Sequence, residues 1–161
     1  MESVFKIRSI AADDNVEIAR IIRACLKEFG ADKPGTVYYE ESTDRLFEVF
    51  REKGSAYFIA EHNGIMLGGG GIFPSPGLPK GTCEMVKMYL LPEFRGKGIG
   101  IALINKCFDT ARQMGFNTIY IESMLVLDRA IALYEKFGFK RLSEPLGNTG
   151  HYSEVWMTKS I

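Results

Sequence analysis

The residues with the clearest chemical meaning are Arg95-Gly96-Lys97-Gly98-Ile99-Gly100. They follow an apolar run and open a stretch with the spacing of an amphipathic helix. Glycines let backbone N–H groups approach an anion closely, and the positive end of a helix dipole stands behind them. Arg95 and Lys97 add formal positive charge beside the turn. The combination predicts a cradle for the pyrophosphate of a cofactor. It is not the dinucleotide fingerprint, because Ile101 stands where the third glycine would be. No segment has the G-x-x-x-x-G-K-[ST] pattern of a nucleoside-triphosphate loop. A glycine-rich turn of purely structural use is the alternative.

Size and composition narrow the setting. A chain of 161 residues is expected to form one domain, 1–161, with a substantial core. Twenty basic and twenty acidic residues cancel, so charge gives no reason to expect nucleic acid or a membrane surface as partner. Met1-Glu2-Ser3-Val4-Phe5-Lys6 has no apolar core after a basic start, so no secretory leader is expected. No apolar run approaches the ~20 residues of a membrane span. Cys25, Cys83 and Cys107 are odd in number and far apart, and read as reduced thiols of a cytoplasmic protein. Two histidines without close Cys/His spacing give no metal site.

The elements that must position the cradle can be read along the chain. Val4 to Ile10 alternates as a strand. Asp13 or Asp14 then caps a helix whose apolar face holds Val16, Ala19, Ile22, Leu26 and Phe29. Gly30 stops it. An irregular segment around Pro34-Gly35 leads to a second helix, expected over Thr43 to Lys53. Ala56 to Glu61 and Ile65 to Phe73 form a hairpin about Asn63-Gly64. Gly68-Gly69-Gly70-Gly71 inside the second strand permits close approach by a neighbour or a ligand. A long strand, Thr82 to Leu91, precedes the cradle, and a helix over Gly98 to Met114 follows it. A strand at Asn117 to Glu122, a helix at Asp128 to Phe137, and strands at Phe139 to Leu142 and Tyr152 to Lys159 complete the chain. The order β-α-α-β-β-β-α-β-α-β-β predicts an α/β fold, a mixed sheet flanked by helices.

Two blocks then carry a family resemblance. Arg95, Gly98 and Gly100 meet the [QR]-x-x-G-x-[GA] signature of the GCN5-related N-acetyltransferases. Ala130-Ile131-Ala132-Leu133-Tyr134-Glu135-Lys136-Phe137-Gly138-Phe139 resembles that family's A-x-x-L-Y-E-x-x-G-F block. Order, separation and the element sequence of the whole chain fit as well. The resemblance implies a mostly antiparallel central sheet with a splayed parallel strand pair, and acetyl-CoA as cosubstrate without a metal. Backbone N–H groups of Gly96, Lys97, Gly98, Ile99 and Gly100 would hold the pyrophosphate. Pantetheine would lie edge-on to the strand of Met88, Tyr89 and Leu90. One departure is Leu127, where many members carry an asparagine.

Acyl transfer to an amine needs a proton acceptor, because an alkylamine is mostly protonated near neutrality. It also needs an oxyanion donor, which the family takes from strand backbone, here Tyr89 or Leu90. Tyr134 is the candidate acid for the departing thiolate, with a core aromatic as the structural alternative. Glu84 is the candidate base. It lies eleven positions before Arg95, where some members of the family place a catalytic glutamate. On a regular strand Glu84, Val86, Met88 and Leu90 share one face, although a bulge would break that parity. Glu122 is the second candidate base. Cys83 as a nucleophile is the least supported, having no activating histidine beside it in sequence.

The acceptor is expected to be a primary amine of a small molecule or peptide, reached by direct transfer in a ternary complex. Tyr38, Tyr39, Asp32, His151 and Tyr152 are loop residues placed to line its pocket, and Asp32 with Glu40 and Glu41 would suit a cationic amine. A non-catalytic CoA-binding sensor is the alternative function. The Gly68–Gly71 run raises a third option, room for an acyl group larger than acetyl. The resemblance also leaves open a homodimer formed through the last strands.

Overall fold

The computed structural model describes residues 4–161. Met1 to Ser3, part of the stretch read for a leader, lie outside the described residues. Seven strands form one sheet in the order β1-β2-β3-β4-β5-β7-β6. They are β1 (Lys6–Ser9), β2 (Ala56–His62), β3 (Ile65–Phe73), β4 (Thr82–Leu90), β5 (Thr118–Ser123), β6 (Lys140–Leu142) and β7 (Val155–Ser160). The helices are α1 (Asn15–Glu28), α2 (Leu46–Val49), α3 (Ile99–Gln113) and α4 (Asp128–Lys136). β4 and β5 are the one parallel pair among the described residues, and the other neighbours run antiparallel.

Period-two alternation in β2 sends its side chains to two cores. Phe58 and Ala60 join Leu103, Ile104, Cys107 and Phe108 of α3 on one face. Tyr57 and Ile59 join Ile18, Ile21, Ile22 and Leu26 of α1 on the other. The β2–β3 hairpin turns as read, with Asn63 and Gly64 both at positive φ, +50° and +76°.

Several expectations are corrected. The second helix is a single α turn, preceded by a 3-10 segment at Glu41–Arg45. Thr43 is buried and donates to Val37 O at 2.7 Å, while Asn15 Oδ1 accepts from Phe47 N–H at 2.8 Å. These tertiary bonds place the helix start later than Thr43. Val16 is 83% exposed, so the buried stripe of α1 begins at Ile18. Asp14 precedes α1 but its carboxylate is committed to Arg8 and to the Ala11 N–H. The last strand starts at Val155, because Tyr152 N–H instead bonds Gly35 O at 3.1 Å.

β4 contains the bulge that the site depends on. Gly69 pairs with Tyr89 and Gly71 with Val86, so two residues of β4, Lys87 and Met88, oppose Gly70 alone. Lys87 takes φ of +52°. The face shared by Glu84 and Val86 therefore continues through Tyr89 and Leu91, not through Met88 and Leu90. Val86, Tyr89 and Leu91 pack towards α1, whereas Met85, Met88 and Leu90 pack towards α3. The Tyr57 hydroxyl donates to Lys87 O at 2.8 Å and pins the bulge.

The four glycines serve this arrangement. A Cβ on Gly69 or Gly71 would lie within 3.0 Å of the Tyr57 ring, and one on Gly70 would meet the Met88 thioether. The space is filled by the protein's own side chains, not left for a longer acyl group. Gly71→Ala forces its Cβ against Ala56 O and the Tyr57 ring. It is expected to lower unfolding free energy by about 1–3 kcal/mol in urea titration. An unchanged midpoint would show that β2 and β3 separate freely here.

Candidate functional site

β4 and β5 pair only at Thr82–Thr118, Cys83–Ile119 and Glu84–Tyr120. Beyond these residues the strands diverge, leaving unpaired backbone on the facing edges. A cleft of about 460 Å³ follows that gap. Gly96, Gly98 and Gly100 line one end, Met88, Tyr89, Leu90 and Tyr134 the middle, and Glu84, Glu122 and His151 the other.

The cradle is built from backbone. Gly96 and Gly98 have φ of +74° and +84°, a region other residues enter at a cost. Open space lies over both, since a Cβ there would meet nothing within 4 Å. The first intrahelical bond of α3 runs from Ala102 N–H to Gly98 O at 3.1 Å. The N–H groups ahead of it have no helical acceptor and carry the positive end of the dipole. This is a fitting environment for a pyrophosphate. Arg95 plays a different part from the one expected. Its guanidinium pairs with Glu28 at 2.8 and 2.9 Å, donates from Nε to Leu90 O at 3.0 Å, and lies over the Phe29 ring. It ties the C-terminal turn of α1 to the cradle, and its charge is matched by Glu28.

Lys97 and Ile99 do not line the cleft. Lys97 is exposed, with its ammonium 5.9 Å from the Phe94 ring centre. The Ile99 side chain is in the core, so it offers the cradle backbone only. In β4, Leu91 N–H donates to Leu67 O on β3 at 3.1 Å. Strand alternation turns Tyr89 N–H the same way and Leu90 N–H into the gap. Leu90 is thus the better-placed oxyanion donor of the two.

Tyr134 extends from α4 to the cleft and is 7% exposed. Its ring packs on Phe139. No hydrogen-bond partner meets its hydroxyl among the described residues, yet no buried polar side-chain atom is left unpartnered there. The hydroxyl oxygen therefore opens onto the cleft. Burial holds its pKa above the usual phenol value, so it is protonated at neutral pH. Leu127, at the start of α4, lines the same wall with an apolar side chain.

Glu84 is 2% exposed and accepts from Ser75 Oγ at 2.6 Å. Desolvation raises its pKa to about 7, against the lowering effect of Ser75, His151 and Lys87. Glu122 is held by two hydroxyls, Tyr120 at 2.7 Å and Thr149 at 2.5 Å, so its oxygens are already engaged. Glu84 has a pKa matched to neutral operation, and its second oxygen is not taken by a hydroxyl. Cys83 is fully buried and its thiol is pushed up to about 12, which removes it as a nucleophile.

The pairing of His151, Glu40 and Lys87 was not legible in the sequence. His151 Nδ1 lies 2.6 Å from Glu40 Oε1, and Lys87 Nζ lies 3.7 Å from Glu40 Oε2. The histidine pKa is raised chiefly by its bond to Glu40. Lys87 is lowered by burial, while Glu40 and Glu84 act the other way. His151 and Tyr152 line the cleft as expected, but Tyr38, Tyr39 and Asp32 do not. Thr36 and Val37 take that part of the wall. Glu40 is paired with His151 and Lys87, so the acidic patch expected from Asp32, Glu40 and Glu41 does not form. Among the described residues no group of three or more His, Cys, Asp or Glu could hold a metal, and no helix is long and apolar enough to cross a membrane.

Comparison with known proteins agrees with this geometry. Residues 17–139 match the Acetyltransferase (GNAT) family. The chain is 42% identical over 158 residues to the uncharacterized N-acetyltransferase YjgM of Escherichia coli K12, covering 96% of this chain and 94% of that protein. Its fold is similar to a GNAT-family acetyltransferase from Staphylococcus aureus Mu50, with a TM-score of 0.86 at 17% identity, covering 97% and 98% of the two chains. It is also similar to yncA of Salmonella typhimurium, a structure with acetyl-CoA, with a TM-score of 0.76 at 18% identity over 98% and 94%. A glycine cradle, a splayed β4–β5 pair and a family match over most of the sequence thus converge, and the chain belongs to the GNAT family of acetyltransferases.

Proposed function

We propose that the protein transfers an acetyl group from acetyl-CoA to a primary amine by direct attack, without an acyl-enzyme. The observation that carries this is one continuous cleft joining the open glycine cradle, the unpartnered Tyr134 hydroxyl and the buried Glu84 carboxylate. Acetyl-CoA supplies the activated thioester. The chain binds its pyrophosphate through N–H groups of Gly96 to Gly100 and receives pantetheine along the free edge of Met88, Tyr89 and Leu90.

Glu84 accepts a proton from the acceptor ammonium, directly or through water, leaving a neutral amine able to form the new C–N bond. Leu90 N–H stabilises negative charge on the carbonyl oxygen. As the C–S bond breaks, Tyr134 gives its proton to sulfur, and the second nitrogen proton restores the tyrosine through solvent. The net change is amine plus thioester to amide plus thiol.

Calorimetric titration with acetyl-CoA is expected to give micromolar affinity, about −8 kcal/mol. No binding would refute the cradle. With a competent amine, Tyr134→Phe is expected to lower kcat by about 10²-fold with little change in acetyl-CoA affinity. Unchanged turnover would remove Tyr134 as the acid.

Activity as kcat/KM is expected to rise with pH through about 7 as Glu84 ionises, and Glu84→Gln is expected to abolish that limb. The same shift has a stability consequence with a definite sign. A folded-state pKa of about 7 exceeds the ordinary carboxylate value, so stability from neutral Glu84 is full below about pH 4.5 and lost as pH rises towards 7. The thermal midpoint of Glu84→Gln should therefore gain on wild type between pH 5 and pH 7.5. A constant gap would show that Glu84 titrates normally.

A further inference from the structure

The mechanism above leaves one buried cation without a task. Lys87 sits at the bulge with its side chain 7% exposed. Its one ion-pair partner among the described residues is Glu40, at the loose distance of 3.7 Å. Glu40 spends its other oxygen on His151 at 2.6 Å. An ammonium carries three donors, and burying it with a single distant partner is costly. No buried side-chain nitrogen or oxygen is unpartnered among the described residues, so the Lys87 ammonium is not sealed in the core. Lys87 lines the cleft beside Glu84, and the free donors open there.

The fold commits other residues to this placement. The left-handed φ of Lys87 is uncommon for a side-chain-bearing residue. It is held by the Tyr57 hydroxyl on Lys87 O, and the Tyr57 ring in turn needs the glycines at 69 and 71. On a regular strand Lys87 would not share a face with Glu84. The bulge sets a cation and a proton acceptor side by side at the acceptor end. Charge is thereby sorted: Glu84 suits the amine of an acceptor, whereas Lys87 suits an anion carried close to that amine.

We propose that the acceptor is a small molecule bearing a carboxylate next to its primary amine, an α-amino carboxylate, and that Lys87 is the residue that selects it. This rests on the acetyl-transfer reading and adds the substrate class. Lys87 binds the carboxylate and so presents the amine to Glu84. It takes no part in bond making or proton transfer.

The test is acetyl-CoA-dependent thiol release with the twenty common L-amino acids, their α-carboxamides and the corresponding decarboxylated amines. At least one amino acid is expected to show kcat/KM at least about tenfold above its amide and its decarboxylated amine, the scale of a hydrogen bond to a charged group. Lys87→Gln is expected to bring that ratio close to one, chiefly through a raised KM for the acid, with acetyl-CoA affinity unchanged. Lys87→Arg, which keeps the charge, is expected to preserve discrimination. Equal or better turnover of amides or decarboxylated amines by the wild-type protein would overturn the proposal, whatever the variants do. So would discrimination that survives in Lys87→Gln, or acetyl-CoA binding with no turnover of any amino acid. Absence of acetyl-CoA binding in calorimetry would overturn the transfer reading itself.

Discussion

The parting of β4 from β5 after Glu84 is the constraint on which the rest of the structure depends. A sheet normally satisfies its backbone by pairing along the whole length of adjacent strands. Here parallel pairing ends at Glu84–Tyr120, and the free edges beyond it become the walls of a cleft. The parting is compatible with stability because β4 stays paired with β3 on its other edge on both sides of the bulge, and β5 with β7. Cores on both faces hold the two halves. The cleft is therefore a gap in a rigid frame, with side chains on either wall fixed by packing.

The bulge at Lys87 and Met88 follows from the same need. It rotates the end of β4 so that Tyr89 turns to the α1 side and Met88 and Leu90 to the α3 side. Tyr57 and the glycines of β3 lock that rotation. Arg95 then joins the strand end to α1 through Glu28 and Leu90 O, so the cradle is anchored to the element opposite it. A residue that looks like a phosphate ligand by type acts as a strut.

Electrostatics at the Glu84 end of the cleft depends on burial. Glu84 has one close hydroxyl donor and little solvent, which raises its pKa into the neutral range. Glu122 has two hydroxyl donors. Two carboxylates only a strand apart are thus given different hydrogen-bonding environments. The Glu40–His151 pair bridges the loop before α2 to the loop before β7 and closes that end of the cleft.

Sequence alone determined the elements whose cause is local. Asn63-Gly64 gave the hairpin, because the type I′ turn that joins twisted strands in two residues needs positive φ at both positions, which Asn and Gly tolerate. Gly98 and Gly100 gave the cradle, since a glycine turn ahead of a helix exposes N–H groups whatever surrounds it. That Glu84 and Tyr134 face a common cleft was legible through their positions in two family blocks. Tertiary structure decided what depends on distant partners. The expected helix at 43–53 shrank because Asn15 and Val37 take up its first backbone and side-chain groups. The β4 face reversed because an extra residue opposite Gly70 has no signature in a run of alternating side chains. Arg95, Lys87 and His151 have roles set by Glu28 and Glu40, which lie 67, 47 and 111 positions away in the chain. Charge and type are written in each residue, but the partner that neutralises, buries or frees it is chosen only when the sheet and its loops come together.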